Sequence, residues 1–171
     1  MFVDYKKWPF SPDRVLRSGR NIGKYNYPKL FLIENCLRVI INTVLSVQIG
    51  PDWWDLIIDP KKKKVALKNR DRHYRRLKIR RSRSAPWNHG IYHMYLSDLK
   101  DIAEQNSHLI VPILKDIDQY VIDLDNTLDP RNFICHMNYP PAGDRALLNN
   151  LYEKTQKLLT ELEEKIPLNI P

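Results

Sequence analysis

The chain has 171 residues, of which 43% are apolar, so it is long enough for one folded domain with a core and is not a disordered tail. The net charge of +8 indicates a polyanionic partner, while the two cysteines, Cys36 and Cys135, lack the spacing of a disulfide framework or a zinc site. The absence of a long apolar run and of a leader-like start predicts a soluble, cytoplasmic protein with no membrane partner.

The N-terminal third is expected to combine an irregular segment with one long helix. Residues 1–27 contain proline, tyrosine and arginine without a helical period and are expected to form an irregular N-terminal arm. A helix is predicted at 29–48, where apolar residues recur every three or four positions after Pro28. Gly50-Pro51 should end this helix. The adjacent tryptophans at 53 and 54 are expected to anchor the core or a dimer interface.

The positive charge is concentrated in one segment. Residues 61–83 hold 13 of the 28 lysines and arginines and a single acid, Asp71. The stretch 61–86 is predicted to be a weakly anchored helix ending in a loop, because its apolar positions form a poor stripe. We expect it to bind nucleic acid through phosphate contacts, or alternatively to be a solvated basic helix. The residues assigned to this surface are Lys61, Lys62, Lys63, Lys64, Lys68, Arg70, Arg72, Arg75, Arg76, Lys78, Arg80, Arg81 and Arg83.

Four helices are predicted in the second half. Ser97 is expected to cap a helix that runs to about residue 106, and Pro112 can occupy the first turn of the next. Asp129-Pro130 is expected to precede a helix that begins at Arg131. Asp144 should cap a final helix that keeps its apolar period to Lys165. The expected fold is therefore all-α: an antiparallel helical bundle over 28–165 followed by a tail at 166–171.

The segment Asp123-Leu124-Asp125-Asn126-Thr127 resembles two acidic motifs. It matches the D-x-D-x-T signature of haloacid-dehalogenase phosphatases, but that site lies at the end of a parallel strand, whereas this segment has helical periodicity. It also resembles the start of a calcium loop, but Leu128 and Ile134 replace the glycine and glutamate that such a loop requires. We therefore interpret it as the end of a helix.

The residues best suited to chemistry are Arg131, Asn132 and His136, in the pattern R-N-x-x-x-H. Asn132 and His136 lie one turn apart on a helix, so the amide is expected to orient the imidazole. A helix start would favour bound phosphate, and the long Arg131 side chain can reach the same cleft. Cleavage of RNA by its own 2′-hydroxyl requires a base, an acid and a cation, which two histidines from a dimer would complete.

This pattern resembles the HEPN superfamily, whose nucleases carry R-x(4–6)-H, commonly with asparagine after the arginine. Glu34-Asn35-Cys36-Leu37-Arg38, Gly50-Pro51-Asp52-Trp53-Trp54 and Tyr95-Leu96-Ser97-Asp98-Leu99 are similar to the HEPN branch found in a transcript-surveillance endonuclease and in bacterial defence proteins. The resemblance covers roughly residues 28–165. It implies a HEPN-type bundle and a homodimer whose two motif helices face each other across a cleft.

The resemblance also implies an activity and the role of each residue. It implies a metal-independent endoribonuclease, without a cofactor, that leaves 2′,3′-cyclic phosphate ends. Arg131 would bind the scissile phosphate, Asn132 would position His136, and His136 would be the acid or base. Glu34 and Arg38 match a feature of some members near the same cleft. An exposed ion pair is the equal alternative for these two.

The biological role is expected by analogy with the family alone. A nuclease of this type would be the toxic effector of a prokaryotic antiphage or toxin–antitoxin system, with an antitoxin or defence protein as a possible partner. The main alternative is a non-catalytic RNA-binding or scaffold module that works with a partner protein. A protein–protein interaction bundle without a nucleic-acid role is the third.

Overall fold

The computed structural model describes residues 12–79, 89–136 and 140–166. Every regular element in these ranges is helical, which confirms the all-α prediction, whereas the HEPN bundle type and the antiparallel order stay predictions. The elements in chain order are α1 Pro12–Asn21, a π-helical turn Ile22–Asn26, α2 Tyr27–Gln48, α3 Trp53–Ile57, α4 Pro60–Ile79, a 3-10 turn Gly90–His93, α5 Leu96–Gln105, α6 Ser107–Ile110, α7 Ile117–Asn126, α8 Leu128–Cys135 and α9 Ala142–Lys165.

Helix α2 is the centre of the core, and the prediction of a helix at 29–48 is confirmed. Its apolar period places Leu37, Ile40 and Ile41 in full burial, where they pack with residues of α5, α6 and α9. Each fully buried leucine or isoleucine contributes about 1.5–3 kcal/mol to folding. The helix ends at Gln48, just before Gly50 as predicted, and Gly50 has a φ of +117°, a conformation that side-chain-bearing residues rarely adopt.

The prediction of an irregular N-terminal arm is wrong for residues 12–26, which are helical and continue into α2. This segment buries few residues. Ile22 and Asn26 are buried, whereas Val15 and Leu16 are 51% and 59% exposed. Joining an existing helix avoids the cost of nucleating a new one, so this segment is helical without its own core face. Residues 1–11 lie outside the described part of the chain.

The combined run Val15–Gln48 is also long and apolar enough to cross a membrane, judged by length and composition alone. Its most apolar 18-residue window is 44% buried inside the protein. The core of this fold therefore uses the same apolar residues that a membrane span would need. The cytoplasmic location stays a prediction.

Helix α4 confirms the prediction of a weakly anchored basic helix. Asp59 caps it by accepting the backbone N–H of Lys61 at 2.6 Å, and Pro60 occupies its first turn. Among the side chains of α4 that the structure describes, only Ala66 is buried. The loop predicted at the end of this segment, from residue 80 to 86, lies outside the described residues.

The C-terminal half follows the predicted order of helices with shifted boundaries. Helix α5 begins at Leu96, with Tyr95 rather than Ser97 at its N-cap. Pro112 lies in a turn between α6 and α7, and α7 begins only at Ile117. The short helix α6 was not predicted, because four residues carry too little periodic signal. Helix α9 confirms the predicted final helix and its end at Lys165, but the prediction of Asp144 as its cap is wrong: Pro141 is at the N-cap and Asp144 lies in the first turn.

Candidate functional site

Helix α8 carries the R-N-x-x-x-H residues, but it begins three residues before the predicted start at Arg131. Its N-cap is Thr127, and the backbone N–H of Arg131 donates to the Thr127 carbonyl at 2.9 Å. The amide of Arg131 is therefore used inside the helix and is not free for a phosphate. The expectation that the motif lies at a helix start is wrong, because Leu128 and Asp129 add the first turn before Pro130.

The guanidinium of Arg131 lies between two groups. It approaches Glu34 of α2, with Nη2 3.5 Å from Oε2, and donates from Nη1 to Oδ1 of Asn132 at 3.0 Å. The side chain of Arg131 is 30% exposed and that of Glu34 is 26% exposed. The contact joins α8 to the core helix, so Arg131 and Glu34 do meet, as the resemblance implies.

Glu34 is held more tightly by Arg38, one turn along the same helix. Nη2 of Arg38 donates to Oε1 of Glu34 at 2.6 Å and to the Met94 carbonyl at 3.1 Å, while Nε donates to the Ile91 carbonyl at 3.2 Å. Nη1 also donates to Oδ1 of Asn35 at 3.4 Å. Arg38 is only 6% exposed. The ion pair of the alternative prediction is therefore formed, but it is not an exposed one, because Arg38 is buried and donates to the carbonyls of Ile91 and Met94.

His136 lies at the end of α8 rather than within the cluster. Its backbone N–H donates to the Asn132 carbonyl at 3.0 Å, it occupies the C-cap position and its side chain is exposed. Within the described residues, no side-chain hydrogen bond joins Asn132 to His136, and the amide oxygen of Asn132 accepts from Arg131. The expected orienting contact is therefore not formed here. The imidazole is reachable from solvent, as an acid or base must be.

An apolar surface accompanies the cluster and was missed at the sequence level. Tyr27, Phe31, Glu34 and Arg38 are spaced four, three and four residues apart, so they share one line along α2. Phe31 is 69% exposed and Tyr27 is 43% exposed, although α2 is otherwise the core helix. Phe133 of α8 is also 43% exposed. Only the tertiary structure shows which side of α2 its neighbours leave uncovered.

The predicted nucleic-acid surface divides into paired and exposed cations. Lys62 contacts Asp101 at 2.7 Å, Lys63 contacts Asp55 at 3.2 Å, and Arg70 contacts Asp71 at 3.5 Å. The other cations of α4 with described side chains are all exposed: Lys61, Lys64, Lys68, Arg72, Arg75 and Arg76. The Lys78 side chain and Arg80, Arg81 and Arg83 lie outside the described part.

The basic helix adjoins the segment that covers Arg38. Nδ2 of Asn69 donates to the His93 carbonyl at 3.1 Å, next to the Met94 carbonyl that Arg38 binds. Nearby, Trp53 is 1% exposed, which confirms its prediction as a core anchor, and its ring packs 5.6 Å from that of His89. Burial lowers the pKa of His89, and the charge of Asp55 opposes this effect only in part.

The acidic segment at the end of α7 has no catalytic geometry. Asp123 is paired with Lys154, and Asp125 with Lys100 at 2.8 Å. The Thr127 hydroxyl donates to the Leu124 carbonyl at 2.8 Å. The segment is helical, so its interpretation as the end of a helix, rather than a phosphatase strand, is confirmed.

Comparisons of the chain with protein-family models, with curated proteins and with solved structures find no match. Membership of the HEPN superfamily stays a prediction.

Proposed function

We propose that this chain is a HEPN-type endoribonuclease that cuts RNA without a metal ion, at a site formed by Arg131, Asn132 and His136 of two protomers. The observation that carries this proposal is the contact of Arg131 with Glu34. The buried Arg38 holds the Glu34 carboxylate in place by a second ion pair. An arginine fixed in this way, with an exposed histidine at the end of the same short helix, suits a phosphate-binding and proton-transferring site.

The charges of the cluster favour a phosphate at Arg131. Glu34 lies 2.6 Å from Arg38 but 3.5 Å from Arg131, so its negative charge is compensated mainly by the buried arginine. The three ionised side chains together carry one net positive charge. An arriving phosphate can accept two parallel hydrogen bonds from the guanidinium of Arg131, a geometry that lysine does not provide.

The proposed reaction is an internal transesterification. The 2′-oxygen attacks the adjacent phosphorus and the bond from phosphorus to the 5′-oxygen breaks, which leaves a 2′,3′-cyclic phosphate and a free 5′-hydroxyl. One histidine accepts the proton of the 2′-hydroxyl and a second gives a proton to the leaving oxygen. Arg131 stabilises the added negative charge of the phosphorane. His136 is exposed, so its counterpart in a second protomer can face it across a cleft.

The apolar side of α2 supports a dimer at this place. Phe31 and Tyr27 precede Glu34 on the same line of the helix, and Phe31 is the more exposed at 69%. A large exposed aromatic side chain is an interface anchor when a partner covers it. A second copy seated here would bring two α8 helices to one cleft. The expected role is a toxic effector in prokaryotic defence, restrained by an antitoxin or defence partner in the cytoplasm.

The experiment is incubation of the purified protein with total RNA in EDTA. Wild-type protein should cut the RNA and leave 2′,3′-cyclic phosphate ends. His136→Ala should lower the rate by at least about 100-fold, because general acid–base catalysis contributes that much or more. His108→Ala is the matched control, since His108 is also an exposed histidine and lies on α6, away from the cluster.

A second pair of variants tests the dimer and the cation. Phe31→Glu should give a monomer in analytical ultracentrifugation and lose cleavage. Arg131→Ala should lose cleavage but stay dimeric. Intact RNA with a folded wild-type dimer would contradict the nuclease and favour the RNA-binding scaffold, and cleavage by His136→Ala at the wild-type rate would contradict the assigned role.

A further inference from the structure

The exposed cations of α4 form a regular line, which we call the outer stripe: Lys61, Lys64, Lys68, Arg72 and Arg75. They are spaced three, four, four and three residues apart, so they lie along one side of the helix. Successive members are about 4.5–6 Å apart along the axis, and the stripe is about 21 Å long. All five side chains are exposed.

The opposite side of α4 holds the helix on the protein. Ala66 is 1% exposed, and Asn69 donates to the His93 carbonyl at 3.1 Å. The cations nearest this side are paired with acids: Lys62 also approaches Asp98 at 3.5 Å, and Lys63 is bound to Asp55. Desolvation lowers the pKa of Lys62, but the hydrogen bond and the charge of Asp101 act against it, and the pKa is raised overall. The basic segment therefore contains two groups of cations with different surroundings.

We propose that the outer stripe binds one strand of RNA by its successive phosphates, while Lys62 and Lys63 on the other side fix α4 to the protein. The identity of the polyanion as RNA rests on the proposed function, but the binding itself does not require cleavage. A line of cations at this repeat suits consecutive phosphates of one unwound strand, as in other grooves that track a single-stranded backbone.

Two other polyanions fit the stripe less well. A helix lying in a duplex groove meets phosphates on both flanks, whereas here Lys62, Lys63 and Arg70, away from the stripe, are paired with carboxylates and Asp71 adds a negative charge. A membrane-bound amphipathic helix inserts the side opposite its cations into lipid. That side of α4 is packed against the protein through Ala66 and Asn69.

The test is the salt dependence of binding to a 12-nucleotide 2′-O-methyl oligouridine, which lacks the attacking hydroxyl and is not cut. For a single strand, the logarithm of affinity falls with the logarithm of salt concentration with a slope of about 0.7 per phosphate contact, so five contacts predict roughly 3.5. The variant K64Q/K68Q/R72Q should lower this slope by about 2. Fluorescence anisotropy at several salt concentrations measures it.

Two matched control variants each remove three positive charges at other positions. K62Q/K63Q/R70Q changes the paired cations of α4 and should keep the wild-type slope. R17Q/R20Q/K24Q changes exposed cations around α1, so it serves if the first control fails to fold, which circular dichroism reports. Equal loss of slope in the outer-stripe variant and in a folded control would show unspecific charge attraction and overturn the proposal.

The remaining outcomes separate this proposal from the nuclease. If the wild type binds with the predicted slope but does not cut natural RNA, the result supports the stripe and contradicts only the proposed function. No binding of the oligonucleotide by the wild type overturns the stripe. Tighter binding to duplex RNA, or stripe-dependent binding to vesicles with 30% phosphatidylserine in place of RNA, also overturns it.

Discussion

Replacement of Arg38 by methionine tests how the fold holds the candidate site. Methionine keeps much of the arginine's apolar stem but removes the charge and all its donors. The carbonyls of Ile91 and Met94 lose their contacts at 3.2 and 3.1 Å, and Glu34 loses its partner at 2.6 Å. Removing one partner of a buried ion pair costs about 3–5 kcal/mol, since it leaves the other charge uncompensated. Because Glu34 is 26% exposed and keeps its contact with Arg131 at 3.5 Å, we expect the low end, about 3 kcal/mol.

Equilibrium urea unfolding measures the effect as a change in the free energy of unfolding. Lys100→Met is the control, because Lys100 pairs with Asp125 at 2.8 Å on the surface and should contribute no more than about 1 kcal/mol. The double variant Glu34→Gln/Arg38→Met should recover part of the loss, since it also removes the uncompensated carboxylate. A loss for Arg38→Met no larger than that for Lys100→Met would refute the assignment of Arg38 as a buried anchor.

Two further predictions concern packing and thiol chemistry. A Cβ at Gly90 would lie 2.2 Å from Cζ2 of Trp54, so Gly90→Ala should lower stability by about 1–3 kcal/mol in thermal unfolding, whereas Gly143→Ala meets nothing within 4 Å and should not. Equal stability of the two variants would contradict the close packing. Burial raises the pKa of Cys36 to about 11. In the variant Cys135→Ser, alkylation of Cys36 at pH 7.5 should therefore be more than about 100-fold slower in the folded protein than in urea. The rate in the folded protein should increase as the pH rises towards 11. Rapid alkylation of the folded protein would show that Cys36 is not shielded.

The sequence predicted the long helices α2 and α9 from their buried apolar stripes and α4 from its helix-forming composition, but it missed α1. The period of α2 and of α9 is visible because Leu37, Ile40, Leu151 and Leu158 all face the core. Helix α1 buries no such stripe, since its Val15 and Leu16 remain exposed. The start of α8 was misplaced because Asp129-Pro130 is a common helix start, while here the helix already begins at Leu128 with Thr127 as its N-cap.

The sequence by itself determined the helical class, the core side of α2 and the concentration of positive charge in α4, because these depend on composition and on spacing within one element. Only the tertiary structure decided that Lys62 and Lys63 of α4 are paired, since Asp55, Asp98 and Asp101 come from other elements. It likewise decided that Arg38 is buried and that Arg131 meets Glu34, about a hundred residues away in the chain. Contacts of this kind depend on how separate helices pack, and no local pattern records that packing.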